Sequence, residues 1–164
     1  MDRFSSKIFK EMENAFFEVM AKGWVAGSKP VKSVEFPGFD TFSGEHDGFR
    51  VVDCFYYNKI GKGFGQTIIS HNTFGGGSPL WQMNYFGIYS EIAIPFLKEV
   101  LLSAYLAKEF LGGRGSVKHE KDSLIYINHP EESSFAKFQG EERISDILNL
   151  CIGWHEYRGM SLLL

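Results

Sequence analysis

The chain lacks most of the features that mark a function directly. It has two cysteines in 164 residues, Cys54 and Cys151, and neither belongs to a CxxC pair. That excludes a disulfide framework and a thiolate zinc knuckle, and fits small thiols in a reducing compartment. It has no basic excess: 17 Lys and Arg stand against 20 Asp and Glu, for a formal charge of -3. A phosphate-binding surface needs that excess, so no nucleic-acid partner is expected. No long apolar run is present either. The richest stretch, 92–111, carries Pro95, Lys98, Glu99, Lys108 and Glu109, which makes it a core helix and not a membrane span. Residues 1–10 show no basic region followed by an apolar one. The expectation is a cytoplasmic protein with no membrane partner.

Recognisable catalytic motifs are equally scarce. The histidines at 46, 71, 119, 129 and 155 form no HExxH or HxH pair, so no metal site is expected. Gly61-Lys62-Gly63-Phe64-Gly65 lacks the spacing and the strand-to-helix setting of a dinucleotide loop. No Walker sequence or GxSxG elbow occurs, and no cysteine has a histidine beside it. No cofactor is expected.

What is abundant is aromatic: 16% of the chain, including 16 Phe. With 44% hydrophobic and 23% charged residues, a chain of this length can bury roughly 70% of its unfolded surface and needs no staple. Ile8, Phe9, Met12, Ala15, Phe16, Val19 and Met20 recur at helical spacing, predicting a helix over 2–22, capped by Asp2, Ser5 or Ser6 and stopped by Gly23. From 24 to 48 glycines and prolines break the pattern, leaving a loop with one short strand near 31–36. Strands follow at 49–58, 66–70 and 80–86, joined by a turn at 61–65 and a Gly-rich loop at 71–78. Ser90 is placed to cap a second helix, with Pro95 in its first turns and Gly112-Gly113 ending it after Leu111. The second half reads as strands at 116–120, 123–128, 135–144 and 150–158.

The two halves resemble each other. Phe64-Gly65 and Ile68 are similar to Phe138, Gly140 and Ile144. Trp81 leading to Tyr85-Phe86-Gly87 is similar to Trp154 leading to Tyr157-Arg158-Gly159. The expected fold is therefore α+β: one domain, 1–164, of two helix-plus-three-strand repeats (roughly 1–87 and 88–164), forming an antiparallel, curved sheet packed by two helices.

Pro79-Leu80-Trp81-Gln82-Met83-Asn84-Tyr85-Phe86-Gly87 resembles the P-[VL]-W-x-M-N-Y-x-G core of an uncharacterised bacterial and archaeal domain family, found alone or C-terminal to Xre-type helix-turn-helix domains. Gly113-Arg114-Gly115, the segment Phe138 to Ile144 and Tyr157-Arg158-Gly159 resemble its later segments, in order, over roughly residues 14–163. The resemblance implies a stand-alone version of a domain that binds or senses something, without DNA binding of its own.

Polar groups set among the aromatic strands are the candidate site. Trp81, Met83 and Tyr85 alternate onto one face; Gln82 and Asn84 take the other. Glu142 shares a face with Phe138, Gly140 and Ile144, which calls for a cation such as Arg114 or Arg158, or a polar cavity. His155 and Tyr157 share a face of the last strand. Three functions follow as expectations. The first is a small-molecule binding or sensing domain using Trp81, Asn84, Tyr85, Arg114, Glu142, Tyr157 and Arg158. The second is a small enzyme with Glu142 or His155 as acid/base. The third is a homodimer formed through an edge strand or an aromatic face.

Overall fold

The computed structural model describes residues 3–112 and 114–163, without the side chains of Arg3, Phe4, Phe74 and Gly75. The expected Asp2 cap and the Gly113 of the helix stop and of the Gly-Arg-Gly segment lie outside the described residues.

Helix α1 (Arg3–Met20) follows the apolar spacing. Its stripe buries Met12, Ala15, Phe16 and Val19, and Phe16 sets its ring 5.3 Å from that of Trp81 in the sheet. A short 3-10 turn, Trp24–Ala26, comes next. Then come β1 (Val31–Lys32), β2 (Asp40–His46), β3 (Phe49–Tyr57), β4 (Lys62–His71) and β5 (Pro79–Tyr89). Helix α2 (Ala93–Ala107) leads into β6 (Lys118–Lys121), β7 (Leu124–Ser134), β8 (Lys137–Asp146) and β9 (Cys151–Ser161). All pairings are antiparallel, in the order β1-β2-β3-β4-β5-β9-β8-β7-β6. Each helix thus starts a meander, and the last strands of the two meanders, β5 and β9, pair at the middle of the sheet.

The α+β class and the antiparallel sheet agree with the sequence reading, but the strand count does not. Five strands follow α1 and four follow α2, against three in each expected repeat, although four segments after α2 read as strands. The stretch read as loop holds β2, whose Gly44 hides the alternation because the Val19 side chain of α1 fills the space above it, 2.8 Å from where a Cβ would stand. The Ser90 hydroxyl does not cap the helix: among the described residues it has no hydrogen-bond partner, and Ile92 is the N-cap without a side-chain bond. α2 stops at Ala107, not Leu111, because Lys108 turns left-handed (φ 55). That turn lets Phe110 leave the helical path and meet Phe16, Phe135 and Phe138, ring centroids 5.0–5.9 Å away. Phe135 is likewise not in a strand. It stands in the β7–β8 turn and stacks on Trp81 at 4.8 Å.

The inner face is built from rings laid over glycines. In the row Tyr57–Gly63–Gly87–His155–Glu142–Asn128 the residues are direct cross-strand neighbours. The adjoining row is Phe55–Gly65–Tyr85–Tyr157–Gly140–Pro130. A Cβ on Gly65 or on Gly140 would stand 2.5 Å from the hydroxyl of Tyr85 or of Tyr157. Only glycine lets those rings lie flat and carry their hydroxyls two strands away.

Candidate ligand-binding site

Rings lying flat bring their polar tips together beneath the helices. Glu142 on β8 is fully buried and has both oxygens engaged: Tyr89 donates to Oε1 and Tyr126 donates to Oε2 at 2.7 Å. Arg114, only 8% exposed, comes from the segment between α2 and β6 and places Nε 2.9 Å from Oε1. The N–H is not aligned on that oxygen, so the contact is an ion pair and not a hydrogen bond. Burial works against the guanidinium charge, but Glu142 and the surrounding phenols outweigh it and hold the Arg114 pKa well above the ordinary arginine value. The Arg114 guanidinium carbon also lies 5.2 Å from the centre of the Tyr85 ring, a cation–π distance.

A second carboxyl group belongs to the same region. Asp53 on β3 accepts hydrogen bonds on Oδ1 from Tyr85 at 2.8 Å and from Thr67 at 2.9 Å. Burial raises its pKa, offset in part by those two bonds and by Arg114. On the β7 side, Tyr157 donates to Asn128 Oδ1 at 2.6 Å, and Asn128 donates to the carbonyl of Leu111 at 2.8 Å.

His155 is fully buried, and neither ring nitrogen has a hydrogen-bond partner among the described residues. Its ring stacks on Tyr57 and on Tyr85, and Nδ1 is 4.0 Å from Glu142 Oε1. Burial, helped by the Arg114 charge, depresses its pKa well below the ordinary 6.5, so the ring is buried neutral. The unfolded chain therefore binds a proton below pH 6.5 that the folded chain refuses. This contribution is fully present above that pH and is lost as pH falls from it, at up to about 1.4 kcal/mol per pH unit. Asp53 acts in the opposite sense, adding stability as pH falls through its raised pKa. Urea unfolding of His155→Met is expected to lose the steep fall that begins just below pH 6.5. A variant as pH-dependent there as wild type would contradict the assignment.

Beside this cluster the sheet and helices line a partly open cavity of about 40 Å³, room for about three waters. Its polar wall consists of Asp53, Tyr57, Tyr85, Tyr105 and Arg114. Its apolar wall includes Met20, Trp24, Val25, Phe42 and Leu101, and Trp24 is backed by Lys98, whose ammonium lies 4.6 Å from the ring centre. Tyr57 is 37% exposed as a residue, yet its place in the cavity wall and its burial push its pKa up to about 12.

The structure thus gathers Tyr85, Arg114, Glu142, His155 and Tyr157 in one region of the inner face, with Tyr85 and Arg114 on the cavity itself. Three expected site residues lie elsewhere. Trp81 is a core residue whose Nε1 donates to the Phe135 carbonyl at 2.8 Å. Asn84 and Arg158 face each other across β5 and β9 on the outer, exposed side, where alternation puts them once Tyr85 and Tyr157 point inward. Glu142 accordingly pairs with Arg114 and not with Arg158. Asp53, Tyr57, Tyr89, Tyr105 and Tyr126 were not singled out from sequence. Asp53 between Val51 and Phe55 on an alternating strand was the one signal available, a carboxylate at an inward position just like Glu142.

Compared with protein-family profiles, curated proteins and solved structures, the chain matches none.

Proposed function

We propose that the protein is a small-molecule binding domain and that its ligand enters the cavity between α1, α2 and the inner face of the sheet. The observation carrying this reading is a cation and a carboxyl group, Arg114 and Asp53, both 8% exposed, on the wall of a cavity otherwise aromatic and aliphatic. A few convergent polar groups in an apolar recess are the usual make-up of a ligand site. The resemblance to a domain joined to DNA-binding regulators is compatible with a sensing role. The acid/base reading has less support, since neither Glu142 nor His155 lines the cavity.

The finer reading of the fold, two related units, draws support from the paired tyrosines. Tyr85 over Gly65 reaches Asp53, and Tyr157 over Gly140 reaches Asn128. Tyr85 and Tyr157 are cross-strand partners at the β5–β9 junction, where two units would meet.

Native mass spectrometry of freshly purified protein, followed by denaturation, tests the binding reading. Wild type is expected to shed a small molecule on denaturation, and Val25→Trp, which fills the cavity, to carry none. Equal extra mass on both proteins would place the ligand elsewhere and defeat the proposal.

A further inference from the structure

The cavity wall gathers donors around one cation and leaves one carboxyl oxygen beside them. Arg114 turns Nε to Glu142, which leaves its other guanidinium nitrogens as the part available to the cavity it lines. Tyr57 and Tyr105 line it too, and among the described residues no side-chain hydrogen bond acts on either hydroxyl. On the acceptor side, Asp53 Oδ1 is taken by Tyr85 and Thr67, and Oδ2 is the remaining oxygen of a carboxyl group on the wall whose pKa burial raises. Glu142 is not on the cavity wall, and both its oxygens are occupied.

Resting on the binding reading above, we infer that the cavity holds the head group of an organic monocarboxylate, accepting hydrogen bonds from Arg114, Tyr57 and Tyr105. The apolar body of the ligand lies toward Met20, Trp24 and Phe42. Size selects the head group: about 40 Å³ takes a carboxylate in place of about three waters, and the apolar body stays at the open side of the cavity. Chemistry selects it as well. A guanidinium matches a carboxylate with parallel N–H donors. An ammonium would share a low-dielectric space with the Arg114 charge. A carboxamide would have its N–H₂ satisfied by Asp53 but would offer Arg114 a neutral acceptor in place of a charged one, the weaker hydrogen bond. The Arg114–Glu142 pair keeps the empty site free of a stranded charge, so the pocket stands preformed before the ligand arrives.

Calorimetric titration tests this with two matched series: phenylacetate and hexanoate, their amides, and the amines of the same skeletons. Wild type is expected to bind the acids about tenfold or more tighter than the amides and amines. The double variant Tyr57→Phe/Tyr105→Phe keeps both rings and is expected to weaken the acids about tenfold with little change in the melting temperature. This pair carries the test because Arg114 variants also disturb the fold. Val25→Trp is expected to abolish the binding. Tighter binding of the amines or amides, still lost in Val25→Trp, would overturn the carboxylate assignment and leave the pocket standing. No binding by any probe overturns the carboxylate assignment, and heats that survive Val25→Trp overturn the pocket reading as well.

Discussion

Replacing Glu142 with alanine is expected to cost about 3–5 kcal/mol, the usual penalty for stranding one partner of a buried ion pair. Three groups lose their acceptor at once: the Arg114 charge and the hydroxyls of Tyr89 and Tyr126. Tyr89 and Tyr126 cannot reach water by a small adjustment, since both are buried, and Arg114 has only the small cavity it lines. For a chain of this length the loss corresponds to a fall in Tm of about 6–20 °C. Glu142→Gln keeps an acceptor for one tyrosine and is expected to fall between alanine and wild type. A double variant, Arg114→Met/Glu142→Met, removes charge and counter-charge together and is expected to recover much of the loss, because well-packed apolar groups replace such pairs at little cost. Urea unfolding of the four proteins gives the comparison. Glu142→Ala within about 1 kcal/mol of wild type would mean that the network does not hold the core together.

Gly87→Ala is expected to be as damaging, for a steric reason. Gly87 faces His155 across the β5–β9 pair and Gly63 across the β4–β5 pair. The His155 ring lies across Gly87 to stack on Tyr57, their planes 7° apart with centroids 6.2 Å apart. A Cβ on Gly87 would run into His155 Cδ2 and into the Trp154 carbonyl oxygen. The ring can move only by giving up its stack, and the carbonyl belongs to the pairing of the two central strands. Overpacking a core costs about 1–3 kcal/mol, and the backbone clash puts this variant at or beyond the upper end. Gly76 sits in the loop before β5 and has nothing within 4 Å of its Cβ direction. It is at φ 62, so Gly76→Ala is expected to cost only the local strain of that conformation, about 1 kcal/mol. Gly87→Ala/His155→Ala is expected to recover only part of the loss, since the carbonyl remains in the way. Unfolding curves that superimpose for Gly87→Ala and wild type would refute the flat-ring account of the sheet.

Both variants act on the central arrangement, and the sequence showed that arrangement unevenly. Trp81, Met83 and Tyr85 on one face, and Glu142 with Phe138 and Ile144, were readable because strand alternation is a local rule. That a carboxylate between Phe138 and Ile144 needs a cation or a polar cavity was also readable, since an unpaired buried charge is too costly to keep. Which arginine supplies it was not. Arg114 and Arg158 are equally charged, and only the sheet order, with β9 inserted between β5 and β8, turns Arg158 outward and leaves the α2–β6 segment above Glu142. Asn84 misled for the same reason. It sits in the motif beside Tyr85, but neighbours along a strand belong to opposite faces.

Sequence by itself determined the class of elements and the direction of side chains within the strands it showed: α1 from its apolar stripe, the strands from alternation. These properties depend on nearest neighbours in the chain. The tertiary structure alone decided that Asp53, Tyr85, Tyr105 and Arg114, spread over 62 positions of sequence, meet at one cavity. Their convergence depends on which strands pair at the centre and on where the segment after α2 crosses the sheet, and no local pattern encodes either of these.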